Sequence, residues 1–329
     1  MRPENTDETG SAEPAATSWA EVVRLRTLPA AVAPVILGGG AAIALGTFSL
    51  PRTLLAAGVA LALQIGCNLA NDYSDGVRGT DDERTGPPRL TASGQVPPSR
   101  VKHAAFGCFG LAVLLGLAVV VLSQQWWLVL AGVAAVAAAW FYTGGPRPYG
   151  YAGLGEVFVF VFFGLMATCG TVYVQFDADG AGPSVPPGWV WLAACGIGLI
   201  ACSLLMVNNL RDIDTDPAHG KRTLAVRLGD ERARTAFVVM VCLPVVLGVG
   251  AVAWVQLERG LEGGSMLTGA GPVLLVALLV LSAAAERVTR PVIARATGRD
   301  LIPALRDAGL YELLYGVVVA LGLVLVSAS

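Results

Sequence analysis

Charge is scarce in this chain. Of its 329 residues only 14% are charged and 55% are hydrophobic, with a mean hydropathy of +0.65. Soluble domains carry charge on roughly 25% of their residues, so a soluble fold around one core is excluded. The net charge of −2 hides a strong asymmetry in where Lys and Arg fall, and nucleic acid is not an expected partner. Histidine is limited to His103 and His219, too few for a histidine-based zinc centre. Cys67, Cys108, Cys169, Cys195, Cys202 and Cys242 contain no C-x-x-C pair and fall inside apolar runs. They read as small packing residues rather than disulfides or metal ligands. Residues 1–18 hold no apolar run and are expected to form a disordered cytoplasmic tail, not a leader.

What the chain has instead is apolar length. Runs at 28–48, 54–74, 104–123, 126–143, 153–175, 187–208, 235–256, 269–286 and 309–327 are each of a length to cross a bilayer as a helix. The expected fold is all-α: a multi-pass transmembrane bundle of about nine helices, one domain over residues 19–329. With the N-terminus in the cytoplasm, every one of the 22 Lys and Arg residues except Arg52 and Arg259 falls on the cytoplasmic side. This bias supports orientation and span count together, because one missed helix would scramble it. The expected location is the cell membrane, with lipid around the bundle.

Two polar segments break the apolar pattern, each at the cytoplasmic end of an even-numbered span. They are Asn68-Leu69-Ala70-Asn71-Asp72-Tyr73-Ser74-Asp75 and Asn208-Asn209-Leu210-Arg211-Asp212-Ile213-Asp214-Thr215-Asp216. Ionised carboxylates at such a depth are costly unless paired or metal-bound. At about 100° per residue, Asn68, Asn71, Asp72 and Asp75 fall within one-third of a helical turn. Asn209, Asp212 and Asp216 share a narrower stripe, and Asp214 points to the opposite side. Hard oxygen donors of this kind suit Mg²⁺, which takes its remaining ligands from water and phosphate. Two clusters on one face point to paired Mg²⁺ ions gripping a phosphorylated lipid. The bland alternative is that these Asp residues cap helices or pair with nearby Arg, and two clusters with helical stripes on one face argue against it. Each cluster is followed by a basic stretch and a glycine, Arg89-Leu90 to Gly94 and Arg222-Thr223 to Gly229. This faint repeat fits two related four-helix halves with a ninth helix added.

Arg78, Arg84, Arg89, Lys221 and Arg222 lie near the clusters, where they can neutralise a diphosphate, although cytoplasmic loops are basic in any case. A third feature is the turn Tyr142-Thr143-Gly144-Gly145-Pro146-Arg147-Pro148-Tyr149-Gly150-Tyr151. Gly and Pro fix a sharp turn there. Tyr142, Tyr149, Arg147 and the following Glu156 make it a candidate pocket for an aromatic acceptor.

These residues resemble the UbiA-type superfamily of intramembrane polyprenyltransferases. Asn71-Asp72-Tyr73-Ser74-Asp75 matches the first part of that family's motif in the second loop, with Gly79 at the last acidic position and Asp81 or Asp82 as stand-in. In the second motif Asn209 takes the leading acidic position while Asp212 and Asp216 match. Within the superfamily the chain is most similar to the branch that prenylates 1,4-dihydroxy-2-naphthoate in menaquinone synthesis. Asn71–Asp81, Tyr142–Glu156, Val207–Asp212 and Gly220–Gly229 carry that likeness.

The resemblance implies metal binding by Asp72, Asp75, Asp212 and Asp216, with Asn68, Asn209 and Asp81 as further ligands. It implies polyprenyl diphosphate as donor and loss of CO₂ as the ring is prenylated. Asn71, Arg78, Arg89, Tyr142, Tyr149, Lys221 and Arg222 would bind substrate, and Arg147 the acceptor carboxylate. Another acceptor within the superfamily remains an alternative. CDP-alcohol phosphotransferases also bind Mg²⁺ at a membrane face, but Asp75-Gly76-Val77-Arg78 lacks their Asp-Gly-x-x-Ala-Arg pattern. A cation-coupled transporter is the non-enzyme rival, and it would place its carboxylates nearer mid-span.

Overall fold

The computed structural model describes residues 24, 27–79, 90–91, 94–176, 185–261 and 270–328. The tail 1–18, Asp81 and Arg89, with Asp82 and Arg84, lie outside the described residues.

Long apolar segments satisfy their backbone internally by becoming helices, and proline at a first turn repeatedly sets the start. Pro29 opens α1 (Leu28–Ala44), Pro51 opens α2 (Leu50–Arg78) and Pro98 opens α3 (Pro98–Ser123). There follow α4 (Leu128–Phe141), α5 (Gly155–Tyr173), α6 (Gly188–Arg211), α7 (Asp230–Leu261), α8 (Ala270–Ile293) and α9 (Ile302–Ala328). Among the described residues seven helices are long and apolar enough to cross a membrane, so this is a multi-pass membrane protein. The expectation of about nine crossings exceeds that number: α1 and α4, at 17 and 14 residues, are shorter. α1 stops before Gly46 (φ +72°), and a turn through Gln124 (φ +55°) delays the start of α4.

Two kinds of packing divide the bundle. α6 packs on α7, α9 on α1, and α8 against both α7 and α9. Leu37, Ile197, Phe237, Leu281, Tyr311 and Tyr315 are buried at the centre of that side. The side built from α2 to α5 instead surrounds a cavity. α5 reaches α6 through glycine: a Cβ on Gly164 would lie 2.5 Å from the Cα of Gly198. Gly164 sits in a widened π turn, Phe160–Met166, inside α5. At the end of the bundle remote from the acidic clusters, Arg52 donates to the carbonyls of Leu122 (2.9 Å), Val174 (3.3 Å) and Gln175 (3.0 Å). These satisfy carbonyls left open at helix ends.

Candidate active site

The cavity has a volume of about 1790 Å³. Its walls are apolar and aromatic, while Asn68, Asn71, Asp75, Asn209, Asp212 and Asp216 gather at one mouth. Residues 137 positions apart in sequence, Asp75 and Asp212, therefore serve one space.

The first cluster lies on unbroken α2, which runs to Arg78 and is closed by Gly79 in the left-handed region (φ +71°). Asp75 accepts from the Tyr151 hydroxyl (Oδ1, 2.5 Å) and from Lys221 Nζ (Oδ2, 3.4 Å). Asn71 Oδ1 accepts from Thr143 Oγ1 (2.7 Å), and Asn68 Nδ2 donates to Thr27 Oγ1 (3.0 Å). Asp72 differs. It is fully buried, does not line the cavity, and accepts the backbone N–H groups of Leu90 (Oδ2, 3.1 Å) and Thr91 (Oδ1, 3.0 Å). Its carboxylate is thus engaged in anchoring the returning loop. Arg78 is also turned to structure: its guanidinium donates to the carbonyls of Thr143 and Gly145 and lies 5.5 Å from the Tyr151 ring centre.

The second cluster is not the continuous helical stripe expected. α6 ends at Arg211, with Asp212 as its cap. Asp, Thr and the approach to Pro217 disfavour further helix. The chain turns instead, the N–H of Asp216 donating to the Asp212 carbonyl (2.9 Å), before a short 3₁₀ segment, Asp216–His219. That turn still brings Asp212 and Asp216 to the cavity and leaves Asp214 exposed. Arg211 grips Asp212 with two bonds, Nε to Oδ1 (2.8 Å) and Nη2 to Oδ2 (2.5 Å). Asn209 Nδ2 donates to Glu156 Oε1 (3.2 Å). Lys221 lines the cavity and lies 5.0 Å from the Tyr151 ring centre.

Two basic residues named from the sequence lie elsewhere. The Arg222 side chain is exposed and off the cavity, while its backbone N–H ties to the Tyr151 carbonyl (2.9 Å). Arg147 is exposed within the turn and off the cavity. The turn does deliver its aromatic rings. Tyr149 stacks on Phe158 (3.9 Å between ring centres, 22°) and meets Tyr142 edge-on at 5.5 Å. Burial pushes both phenols up from their ordinary range, so they stay neutral, and Tyr149 donates to the Ala138 carbonyl (2.8 Å). Sequence reasoning did not single out Tyr151, Thr143 or Arg211. Tyr151 and Thr143 were signalled only by membership of the tyrosine-rich turn, and Arg211 by adjacency to Asp212.

The donor chemistry fits a hard cation. The mouth offers carboxylate and amide oxygens, and among the described residues no group of three or more His, Cys, Asp and Glu stands ready to enclose a metal. Mg²⁺ held by a few protein oxygens and by substrate phosphate fits that dispersed set better than an ion caged by protein alone.

Apolar helices around a deep cavity, with oxygen-rich clusters at one mouth, define a polytopic membrane protein built for an amphiphile with an anionic head. The chain belongs to the UbiA prenyltransferase family, whose model matches residues 31–295. It is 46% identical over 303 residues to the 1,4-dihydroxy-2-naphthoate octaprenyltransferase of Mycobacterium tuberculosis, covering 92% of this chain and 95% of that protein. To the enzyme of the same name in Escherichia coli it is 41% identical over 224 residues, 66% of this chain and 70% of that one. Among solved structures, a UbiA homolog from Archaeoglobus fulgidus bound to DMAPP and Mg²⁺ shares the fold. Its TM-score is 0.59 at 16% identity, covering 94% of this chain and 99% of that one.

Proposed function

We propose that this protein transfers a polyprenyl group from polyprenyl diphosphate to 1,4-dihydroxy-2-naphthoate, releasing CO₂ and diphosphate, in menaquinone biosynthesis. The observation that carries the reading is the convergence of Asp75, Asp212 and Asp216 at one mouth of an apolar cavity. The identity with the mycobacterial octaprenyltransferase supports the choice of acceptor. Seven long apolar helices and the one-sided Lys and Arg distribution support a mouth that faces the cytoplasm. The matched pairing of α2 with α3 and α6 with α7 supports two related halves.

Mg²⁺ held by Asp75, Asp212 and Asp216 with Asn68 and Asn209, as two ions in this reading, would supply Lewis-acid stabilisation of the departing diphosphate. The chain's own groups do the rest. Lys221, at the mouth beside Asp75, adds positive charge to the diphosphate as the allylic C–O bond breaks and its electron pair leaves with oxygen. Asp72 holds the loop at Leu90 and Thr91 against α2, and Arg78 holds the turn at Thr143 and Gly145. Tyr142, Tyr149 and Phe158 present π faces that favour the allylic cation and exclude water. The acceptor ring carbon attacks that cation, and the bond to its carboxylate breaks with the pair returning to the ring as CO₂ departs. Arg147 has no part in this scheme, being off the cavity.

The test uses purified protein in liposomes with Mg²⁺, a polyprenyl diphosphate and acceptor labelled at its carboxyl carbon. Metal-dependent release of labelled CO₂ with a prenylated naphthoquinol is the expected result. Prenylation of a different aromatic acceptor would keep the family chemistry and discard this acceptor. No consumption of any prenyl diphosphate would return the cation-coupled transporter to favour.

A further inference from the structure

Glu156 is a buried acid that the scheme above does not use. It stands on the first turn of α5, just behind the cavity wall, and is not among the cavity-lining residues. Oε1 accepts from Asn209 Nδ2 at 3.2 Å, while Oε2 is buried with no hydrogen-bond partner among the described residues. A buried carboxyl oxygen without a partner is destabilising, so the group is expensive to keep unless it does something. Its side-chain partner among the described residues, Asn209, does line the cavity, on the same mouth as Asp212 and Asp216.

An amide side chain has a donating end and an accepting end, and its neighbours decide which way each faces. Here Glu156 Oε1 is the acceptor and Asn209 Nδ2 the donor. The Nδ2 end of Asn209 faces it, and Oδ1 is left facing away from Glu156. Oδ1 takes no hydrogen bond from the described residues, and it is not among the buried atoms that lack one. We propose that Glu156 is a positioning residue that orients the Asn209 amide, holding its oxygen toward the cation–diphosphate site. The same contact explains why position 209 carries an amide. An Asp there would set two carboxylates about as close as the present 3.2 Å contact, which repels unless they share a proton. The proposal rests on the site reading given above.

The test is metal binding, not turnover. Full-length protein in detergent is titrated with Mg²⁺ in the presence of inorganic diphosphate, reading the metal concentration that gives half of the thermal stabilisation. Mn²⁺ paramagnetic resonance provides a second readout of occupancy. Glu156→Leu removes the acceptor and is expected to raise the half-point about tenfold or more, the range seen when a group behind a metal ligand is lost. Glu156→Gln keeps an acceptor oxygen and is expected to stay near the unmodified protein. Asn209→Asp alone is expected to bind metal poorly. Asn209→Asp combined with Glu156→Gln moves the donor to position 156 and should recover binding beyond the Asn209→Asp single variant.

A purely structural role for Glu156 would lower the metal-free melting temperature and leave the half-points alone, and that result would overturn the proposal. So would a double variant no better than Asn209→Asp. If the unmodified protein gains no stability from Mg²⁺ and diphosphate, the site reading falls and this inference with it. A normal response that Glu156→Leu leaves unchanged defeats this inference only.

Discussion

The two acidic clusters share residue types and serve one cavity, but they get there by different local structures. On α2 the helix continues through the cluster, so side-chain direction follows helical geometry. Asn68, Asn71 and Asp75 face the cavity, while Asp72, at the edge of that stripe, turns to the loop backbone. Past α6 the helix has ended. A hydrogen-bonded turn carries Asp216 back beside Asp212, and Arg211 locks Asp212 from the adjacent position. One cluster is placed by its helix, the other by its turn and its ion pair. Lys221 joins them by reaching Asp75 from beyond the second cluster.

The sharpest way to break this comparison is to remove a cavity-facing carboxylate from each side. Asp75→Ala and Asp212→Ala are each expected to lower kcat/KM about 100- to 1000-fold, the scale of losing charge stabilisation at a departing group. Steady-state turnover of polyprenyl diphosphate measures this. A much milder loss for one member would show that the two clusters do not share the metal.

Asp72 is where support can be tested against chemistry. Asn at position 72 can accept one N–H but presents an NH₂ to the other, leaving a buried donor unmatched at a cost of about 2 kcal/mol. Asp72→Asn is expected to lower the melting temperature and to reduce turnover through loosening of the loop at Leu90 and Thr91. Asp75→Asn, in contrast, should lose turnover with little change in stability. Thermal unfolding and initial rates on the pair decide it: equal stability with equal inactivity would make Asp72 a direct participant.

Much of this was legible in the sequence. Helix positions follow from apolar length, and most of the polar residues that break it line the cavity. The two short helices were not legible, because the turn at Gly46 falls inside an apolar run and the turn through Gln124 extends to Trp127, into the next run. Within the site, periodicity placed the α2 stripe but left the role of Asp72 open, since its partners lie 18 and 19 residues later in the chain. The same limit applies to Arg78, whose carbonyl partners are 65 and 67 residues away. For the second cluster, periodicity named the cavity-facing residues although the helix it assumed stops at Arg211. A turn closed by an i to i+4 bond repeats one step of helical spacing, and that step was the one that mattered.

A smaller effect is expected from the link between the tyrosine turn and the first cluster. Tyr151→Phe deletes the hydroxyl that donates to Asp75 but keeps the ring beneath Arg78 and Lys221. A hydrogen bond to a charged group contributes about 1.5–3 kcal/mol. A cation on the same carboxylate would replace part of what that bond supplies, so the expected loss in kcat is about tenfold, near the low end of that range. Initial rates at saturating Mg²⁺ provide the check, and a loss as large as that of Asp75→Ala would assign Tyr151 a direct role with substrate.

Smallest of all should be the change at Asp214. It lies between two cavity-facing carboxylates in sequence, yet it is exposed and does not line the cavity. An exposed side chain on a turn has water to solvate it, and substitution away from caps and ion pairs moves stability by no more than about 0.5 kcal/mol. Asp214→Ala is expected to retain turnover within about twofold, as a change of that size in a barrier allows. The measurement is kcat/KM for both substrates beside Asp212→Ala prepared in the same way. Equal inactivity of the two variants would mean that the turn after Arg211 rearranges when substrate binds, bringing a third carboxylate into the site. Retained activity would leave the second cluster with two working carboxylates, Asp212 and Asp216, and the first with Asp75 facing them.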